Sequence, residues 1–291
     1  MKKTYILTLA ALLAFGCNKI ETPEITDEGA MRFNVQYPTT KATETDFEAG
    51  DRMGVYITEY ENGKPLPLQL GGNYKNNNPV TFDGKKWTAD PVIYWGEGTY
   101  DVYAYYPFCV PSSVDEMRFS VALDQRTEET ADALSAYEAS DFLYAYKKGV
   151  TSEDGEVNLL FKHKMSKFTV NILKGGEFEG DIPSDLTIYL HSTVTDCLID
   201  LSTGDVVKDP YASAKTITTR KIDDDSYTAI VVPQMLTNKK PLVEIIFKDV
   251  SYMIESKFQF KTGMHHILNV TLNNNPDKVK IEVGGEIEGW N

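Results

Sequence analysis

Basic residues are scarce in this chain, with 29 Lys and Arg against 43 Asp and Glu and a formal net charge of −14. Such a surface repels phosphate backbones, so nucleic acid is not an expected partner, and the charge keeps an exposed protein soluble. Cysteine is scarcer still. Only Cys17, Cys109 and Cys197 occur, too few for a disulfide-stapled scaffold, and the last two are expected in different domains as free, buried thiols. Of four histidines, His265 and His266 are adjacent on an expected strand, point to opposite faces and cannot share one ion. His163 and His191 lack a ligand-spaced partner, and Asp223-Asp224-Asp225 lacks the spaced oxygens and turn glycine of a calcium loop. It reads as a solvated hairpin turn. No G-x-S-x-G, H-E-x-x-H, P-loop or dinucleotide fingerprint is present. The chain is therefore expected to be no enzyme and to hold no cofactor or metal.

Long apolar runs are also missing. The run from Tyr5 to Phe15 is well short of the roughly 20 residues that a membrane-spanning helix needs, and it follows Lys2 and Lys3. That is the form of a signal peptide, residues 1–16. Its end, Leu13-Ala14-Phe15-Gly16-Cys17, resembles a bacterial lipobox, in which small residues precede a cysteine that takes acyl chains such as palmitate and becomes the new N-terminus. Several acyl chains hold a protein to a bilayer without any spanning helix. Cys17 is thus the expected lipidation site, and residues 17–30, polar with Pro23 and Gly29, are the expected tether.

After the tether, Phe33, Val35 and Tyr37 alternate with Arg32, Asn34 and Gln36, the pattern of a half-buried strand that Pro38 ends. The polar run Thr39 to Glu48 is expected to be exposed. It contains a single basic residue, Lys41, which places a protease-accessible bond between Lys41 and Ala42. Beyond it, short alternating runs recur at Met53–Thr58, Val92–Trp95, Tyr100–Tyr106, Met117–Leu123, Leu143–Tyr146 and Val157–His163. The Tyr100–Pro107 run predicts tyrosines with apolar rings on the sheet and hydroxyls in water. Asn76 to Pro79 and Gly71-Gly72 mark a long loop, and Thr127–Tyr137 predicts a short helix or turn on the surface. A second series follows at Phe168–Leu173, Leu186–Leu190, Cys197–Leu201, Tyr227–Val232, Leu242–Phe247, Ser251–Ile254, Phe258–Phe260, Ile267–Leu272 and Val279–Val283. Two such series predict an all-β protein of two β-sandwich domains in tandem, 31–163 and 164–291. In the last run, Val279, Ile281 and Val283 repeat the spacing of Phe33, Val35 and Tyr37 after Asn273–Asp277, which has the composition of a hinge. That segment can present the same apolar side as the first strand.

Several stretches together resemble the fimbrillin family of Bacteroidota, the pilin-like lipoproteins of type V pili. They are Thr40-Lys41-Ala42-Thr43 with Phe47 and Gly50 to Tyr56; Trp87 and Ile93-Tyr94-Trp95; Tyr103 to Pro107; Phe161 to Lys167; Ile230 to Gln234; Gly263 with Asn269 to Leu272; and Ile287 to Trp290. The resemblance implies two transthyretin-like domains, export to the outer membrane, and a surface fibre built with other fimbrial subunits by strand exchange, which supports adhesion to a host or bacterial receptor. It also implies that a trypsin-like protease removes the N-terminal segment. Family members often carry arginine where this chain has Lys41, and for an arginine-only protease Arg32 is the alternative cut. The chain stops one residue after Trp290, which points away from a tip subunit with a separate adhesive module. Two other readings are a non-polymerising fimbrial anchor and a surface glycan-binding lipoprotein.

Overall fold

Apolar alternation becomes strand along most of the chain, in two β-sandwiches in tandem. The computed structural model describes residues 28–38, 46–131, 133–176, 181–182, 184, 186–247, 250–272 and 287–290, the side chains of residues 247, 287 and 288 excepted. The first half supplies β1 (Arg32–Gln36), β2 (Arg52–Glu61), β3 (Lys64–Pro65), β4 (Lys75–Phe82), β5 (Trp87–Ala89), β6 (Tyr100–Tyr106), β7 (Met117–Ser120), β8 (Leu143–Val150), β9 (Glu156–Leu160) and β10 (Lys162–His163). The second supplies β11 (Ser166–Lys174), β12 (Thr187–Val194), β13 (Asp196–Asp200), β14 (Asp205–Lys208), β15 (Ala214–Thr218), β16 (Arg220–Lys221), β17 (Ser226–Val231), β18 (Gln234–Phe247), β19 (Val250–Phe260), β20 (Met264–Leu272) and β21 (Ile287–Gly289).

The first sheet runs β10-β8-β6-β2-β4-β5-β1-β9, with β3 on β2. Its two ends, β9 and β10, are joined through Phe161 alone, so the sheet curls back on itself around Phe33, Val55, Ile57, Val102, Val157 and Leu159. In the second half, β16-β17-β11-β20-β21 and β15-β12-β18-β19 bury Phe168, Val170, Leu190, Val243, Phe260 and Val270. Each half has its first strand parallel to one near its end, β1 on β9 and β11 on β20.

Several expectations fail locally. Asn76 to Pro79 is not a loop but part of β4, because Asn77 takes a positive φ of 43° at a register shift and accepts from the Tyr105 hydroxyl at 2.6 Å. Asn tolerates that left-handed backbone. Val92–Trp95 is no strand; Tyr94 makes one bridge, to Ala30. Thr127–Tyr137, expected as a helix or turn, takes turns and no helix among its described residues, and a 3-10 turn follows at Glu138–Ser140. Its apolar content is too thin to pay for a helix. Ser251–Ile254 and Phe258–Phe260 belong to one strand, β19, and Met117–Leu123 pairs only as far as Ser120. The tyrosine hydroxyls of β6 do not reach water, since every residue of β6 is buried. Tyr105 shares its one hydroxyl hydrogen between Asn77 Oδ1 and Cys109 O, at 2.6 and 2.7 Å, and Tyr106 donates to Asp51 Oδ1 at 2.8 Å. The buried Asp101 accepts from Tyr60, Tyr146 and the Gly149 N–H. Cys109 and Cys197 are free, the first half-buried and the second buried, and both pack on one cluster.

The halves are stitched by the connection after β6. Its strand β7 pairs with β13, whose other neighbour is β14. Farther along, the buried Gln125 donates from Nε2 to Ile230 O and accepts at Oε1 from Ile230 N–H, both at 2.8 Å. Its amide continues a ladder that β16 makes with β17 only at Tyr227 and Thr228. Gln125→Ala leaves both Ile230 groups unpaired in the interior, and urea unfolding should show a loss of roughly 2–3 kcal/mol. A loss below half a kcal/mol would mean that the stitch is idle.

Candidate functional site

β1 is an interior strand made from the start of the chain. It pairs antiparallel with β5 at Phe33↔Trp87 and parallel with β9 over five residues, Arg32↔Glu156 to Gln36↔Leu160. Backbone bonds extend the hold beyond the strand, Met31 N–H to Ile93 O at 2.7 Å, Trp95 N–H to Gly29 O at 2.9 Å and Phe161 N–H to Gln36 O at 3.1 Å. Met31 and Phe33 are buried, Val35 and Tyr37 half-buried, while Arg32, Asn34 and Gln36 face out. Fully burying such an apolar side chain is worth roughly 1.5–3 kcal/mol. Arg32 therefore sits within a paired backbone, where a protease must first open the ladder. Lys41 and Ala42 lie outside the described residues, as do Cys17 and Val279, Ile281 and Val283.

The chain returns at Asp46, and Phe47 goes straight into the core. Its ring meets Tyr37, Trp87, Tyr106 and Phe161 edge-on, with centroids 5.0 to 5.7 Å apart. Edge-to-face packing of this kind adds to the gain from burial. A turn fixes the ring's entry: Glu48 N–H donates to Asp51 Oδ2 and Asp51 N–H to Glu48 O, at 2.8 and 3.0 Å. Gly50 supplies the positive φ of 108° that a side chain would resist. Burial raises the Asp51 carboxyl above the usual range, against the two hydrogen bonds that lower it. As the one aromatic residue in a polar run, Phe47 carried a sequence signal; its partners did not.

Tyr37, Phe47 and Asp51 open on a cleft of about 480 Å³ between the halves, walled on the far side by Lys167, Thr169, Arg220 and His265. Asp141 lines the cleft, and behind it His163 Nδ1 lies 2.8 Å from Asp141 Oδ2, both residues buried. His163 also stacks on Trp290, with centroids 3.7 Å apart and planes 6° from parallel. His265 and His266 do face opposite ways, His265 to Thr169 Oγ1 at 2.8 Å and His266 to the Lys261 N–H at 3.1 Å. His191 bridges Thr216 and Glu244. Asp223 Oδ1 accepts from Asp225 N–H in the turn between β16 and β17. Among the described residues no three His, Cys, Asp or Glu gather as a metal site, and no helix is long and apolar enough to cross a membrane.

The profile of the fimbrillin-like family matches residues 40–290, most of the chain. The chain belongs to the fimbrillin-like family. The match begins one residue before Lys41 and leaves β1 outside it. A candidate fimbrium subunit, Fim1C of Bacteroides uniformis, is 25% identical over 319 aligned residues, covering 100% of this chain and 96% of that one. A candidate fimbrium tip subunit of Bacteroides ovatus is 27% identical over 201 residues, 58% of this chain and 35% of its own. Two crystal structures of candidate cell adhesion proteins share the fold with this fimbrillin-like chain. The one from B. uniformis has a TM-score of 0.67 at 18% identity, covering 91% of this chain and 99% of that chain. The one from B. ovatus has a TM-score of 0.67 at 21% identity, covering 90% and 96%.

One cation in this fimbrillin-like cleft wall is out of place. Lys167, 3% exposed, lies with its ammonium 6.0 Å from the Trp290 ring, and burial lowers its pKa to about 8. An unhindered lysine titrates near 10.4, so between those values the unfolded chain binds more protons, and stability rises with pH. The penalty is complete below about pH 8 and gone above about pH 10.4. Measured against Lys167→Met, which has nothing to titrate, the wild type should gain roughly 2–3 kcal/mol between pH 7.5 and 10.5. Parallel pH profiles for the two proteins would show that the ammonium is not desolvated.

Proposed function

We infer that this chain, a fimbrial structural subunit by family, reaches the cell surface as a lipoprotein on Cys17 and joins its neighbours by strand exchange at the position of β1. Residues 1–16 direct export, residues 17–30 space the lipid from the fold, and the sandwiches 31–163 and 164–291 form the fibre unit. A cut after Lys41 separates β1, with lipid and tether, from everything that follows. Other fimbrial subunits are its partners, the outer membrane holds it through lipid before the cut, and the finished fibre meets a host or bacterial receptor.

The observation that carries this reading is that β1 is interior yet terminal. A strand lost from a sheet edge leaves one unpaired row, but a strand lost from between β5 and β9 leaves two, together with the places of Met31, Phe33 and Val35. Such a slot demands another strand. Val279, Ile281 and Val283 carry the alternation that fits it, with Lys280 and Glu282 turned to water. Among the described residues, Ile267–Leu272 of β20 is paired with β11 on one side, and β21 pairs with Met264–His266 on the other. Arg32 serves poorly as a cut, because cleavage there keeps Phe33 and Val35 in the slot.

Protein from sheared fibres should begin at Ala42 on N-terminal sequencing, and fibres made with Ile281→Asp should fail to grow while the monomer stays soluble. A mature protein beginning at Cys17, or fibres that grow unimpaired with Ile281→Asp, would overturn the exchange. Separately, Cys17→Ala should move the protein from the detergent phase to the aqueous phase; continued membrane partitioning would remove the lipid anchor.

A further inference from the structure

The residue that ends the first strand and the residue that ends the described chain meet on the same histidine. The Tyr37 ring, one residue past β1, meets His163 edge-on at 5.8 Å, while Trp290 stacks on the same ring at 3.7 Å. His163 is held in place by Asp141 and by its pairing with Leu143. Trp290 in turn holds β21. That strand makes three pairs with β20, and Trp290 N–H donates to Gly263 O at 2.9 Å. Three pairs are a weak hold on their own, and the 2%-exposed indole in its aromatic slot adds to the hold on β21. The slot has walls of different origin. Lys167 stands beside the indole and belongs to β11, His163 belongs to β10, and the cover over His163 comes from Tyr37, on the segment that the cut removes.

We propose that the Tyr37–His163–Trp290 contact is a latch that couples loss of the N-terminal strand to release of the C-terminal segment. The inference rests on the strand-exchange reading and adds an order of events to it. While β1 is in place, Tyr37 closes the cleft side of His163 and keeps the stack dry, and the C-terminal segment stays on its own β20. When β1 leaves, water reaches the His163 edge from the cleft, the stack loosens, and β21 is left with its short ladder. A subunit can then donate its C-terminal strand only after its own acceptor slot has opened, which keeps uncut precursors from pairing with one another.

Hydrogen exchange read by mass spectrometry on the C-terminal peptide containing Trp290 tests this in the uncleaved chain. Tyr37→Ala should speed exchange there about tenfold, toward the rate of protein cut after Lys41 and freed of its residues 1–41, and Tyr37→Phe should keep the wild-type rate. Val35→Ala weakens the same strand without removing the ring on His163, and should leave the peptide protected. Equal rates in Tyr37→Ala and wild type would overturn the latch, as would equal loosening by Val35→Ala. Fibre growth by Ile281→Asp would instead remove the exchange reading, a result the amide rates do not depend on.

Discussion

The N-terminal half depends on a strand drawn from the start of the chain and clamped by strands that follow much later. β1 reaches β9 across more than a hundred residues, and without it the curled sheet has a gap between β5 and β9. The second half uses the same closure with β11 and β20, but there the first strand is continuous with the preceding domain. The two differ in attachment: on the proposed reading the cut after Lys41 frees β1, whereas β11 follows directly on β10. On the strand-exchange reading, this closure offers one removable interior strand, β1 between β5 and β9.

Opening such a gap without collapse requires that the rest of the half be rigid, and the buried polar groups show how. β6 is covered on both faces, so its tyrosine hydroxyls and Asp101 need protein partners, and each bonded pair is worth little in net terms but costly to break. The Tyr106–Asp51 bond ties β6 to the turn that carries Phe47. Phe47 then remains as a wall of the slot after any cut at Lys41, still packed on Trp87 and Phe161. Gln125 and β7 tie the same half to the second sandwich. Of these ties, the departing segment shares only in the packing of Phe47, through Tyr37.

Period-two alternation made most of the strands legible, along with the all-β class, because a half-buried strand writes its pleat into neighbouring residues. It misled where side chains stood in for backbone. Asn76 to Pro79 reads as turn residues, yet Asn77 and Asn78 bond Cys109 O and Pro91 O and hold β4 in the sheet. Ile93 and Trp95 read as strand, yet the segment makes a single bridge. β7 was legible as a strand but not as a strand of the other half's sheet, since pairing partners far apart in sequence leave no local trace. The same holds for the cleft region: Phe47, His163 and Trp290 each belong to a stretch that carries the family resemblance, but only the fold brings them close.

Cutting the chain is a change of concentration more than a change of contacts. While β1 is covalently attached, it meets its slot at the effective concentration of a short tether, in the millimolar range, and no strand from a neighbour at ordinary concentration displaces it. On the proposed reading, hydrolysis after Lys41 breaks one peptide bond and leaves every contact of β1 in place, so the cut by itself ejects nothing. What it removes is the tether, and β1 becomes a ligand whose departure is no longer reversed at once. A competing strand of equal apolar pattern then exchanges with little net change in buried area. The incoming segment differs in remaining attached to its own sandwich, so each exchange adds a whole subunit. On the reading argued above, the direction of assembly comes from this asymmetry of attachment and needs no stronger fit in the slot.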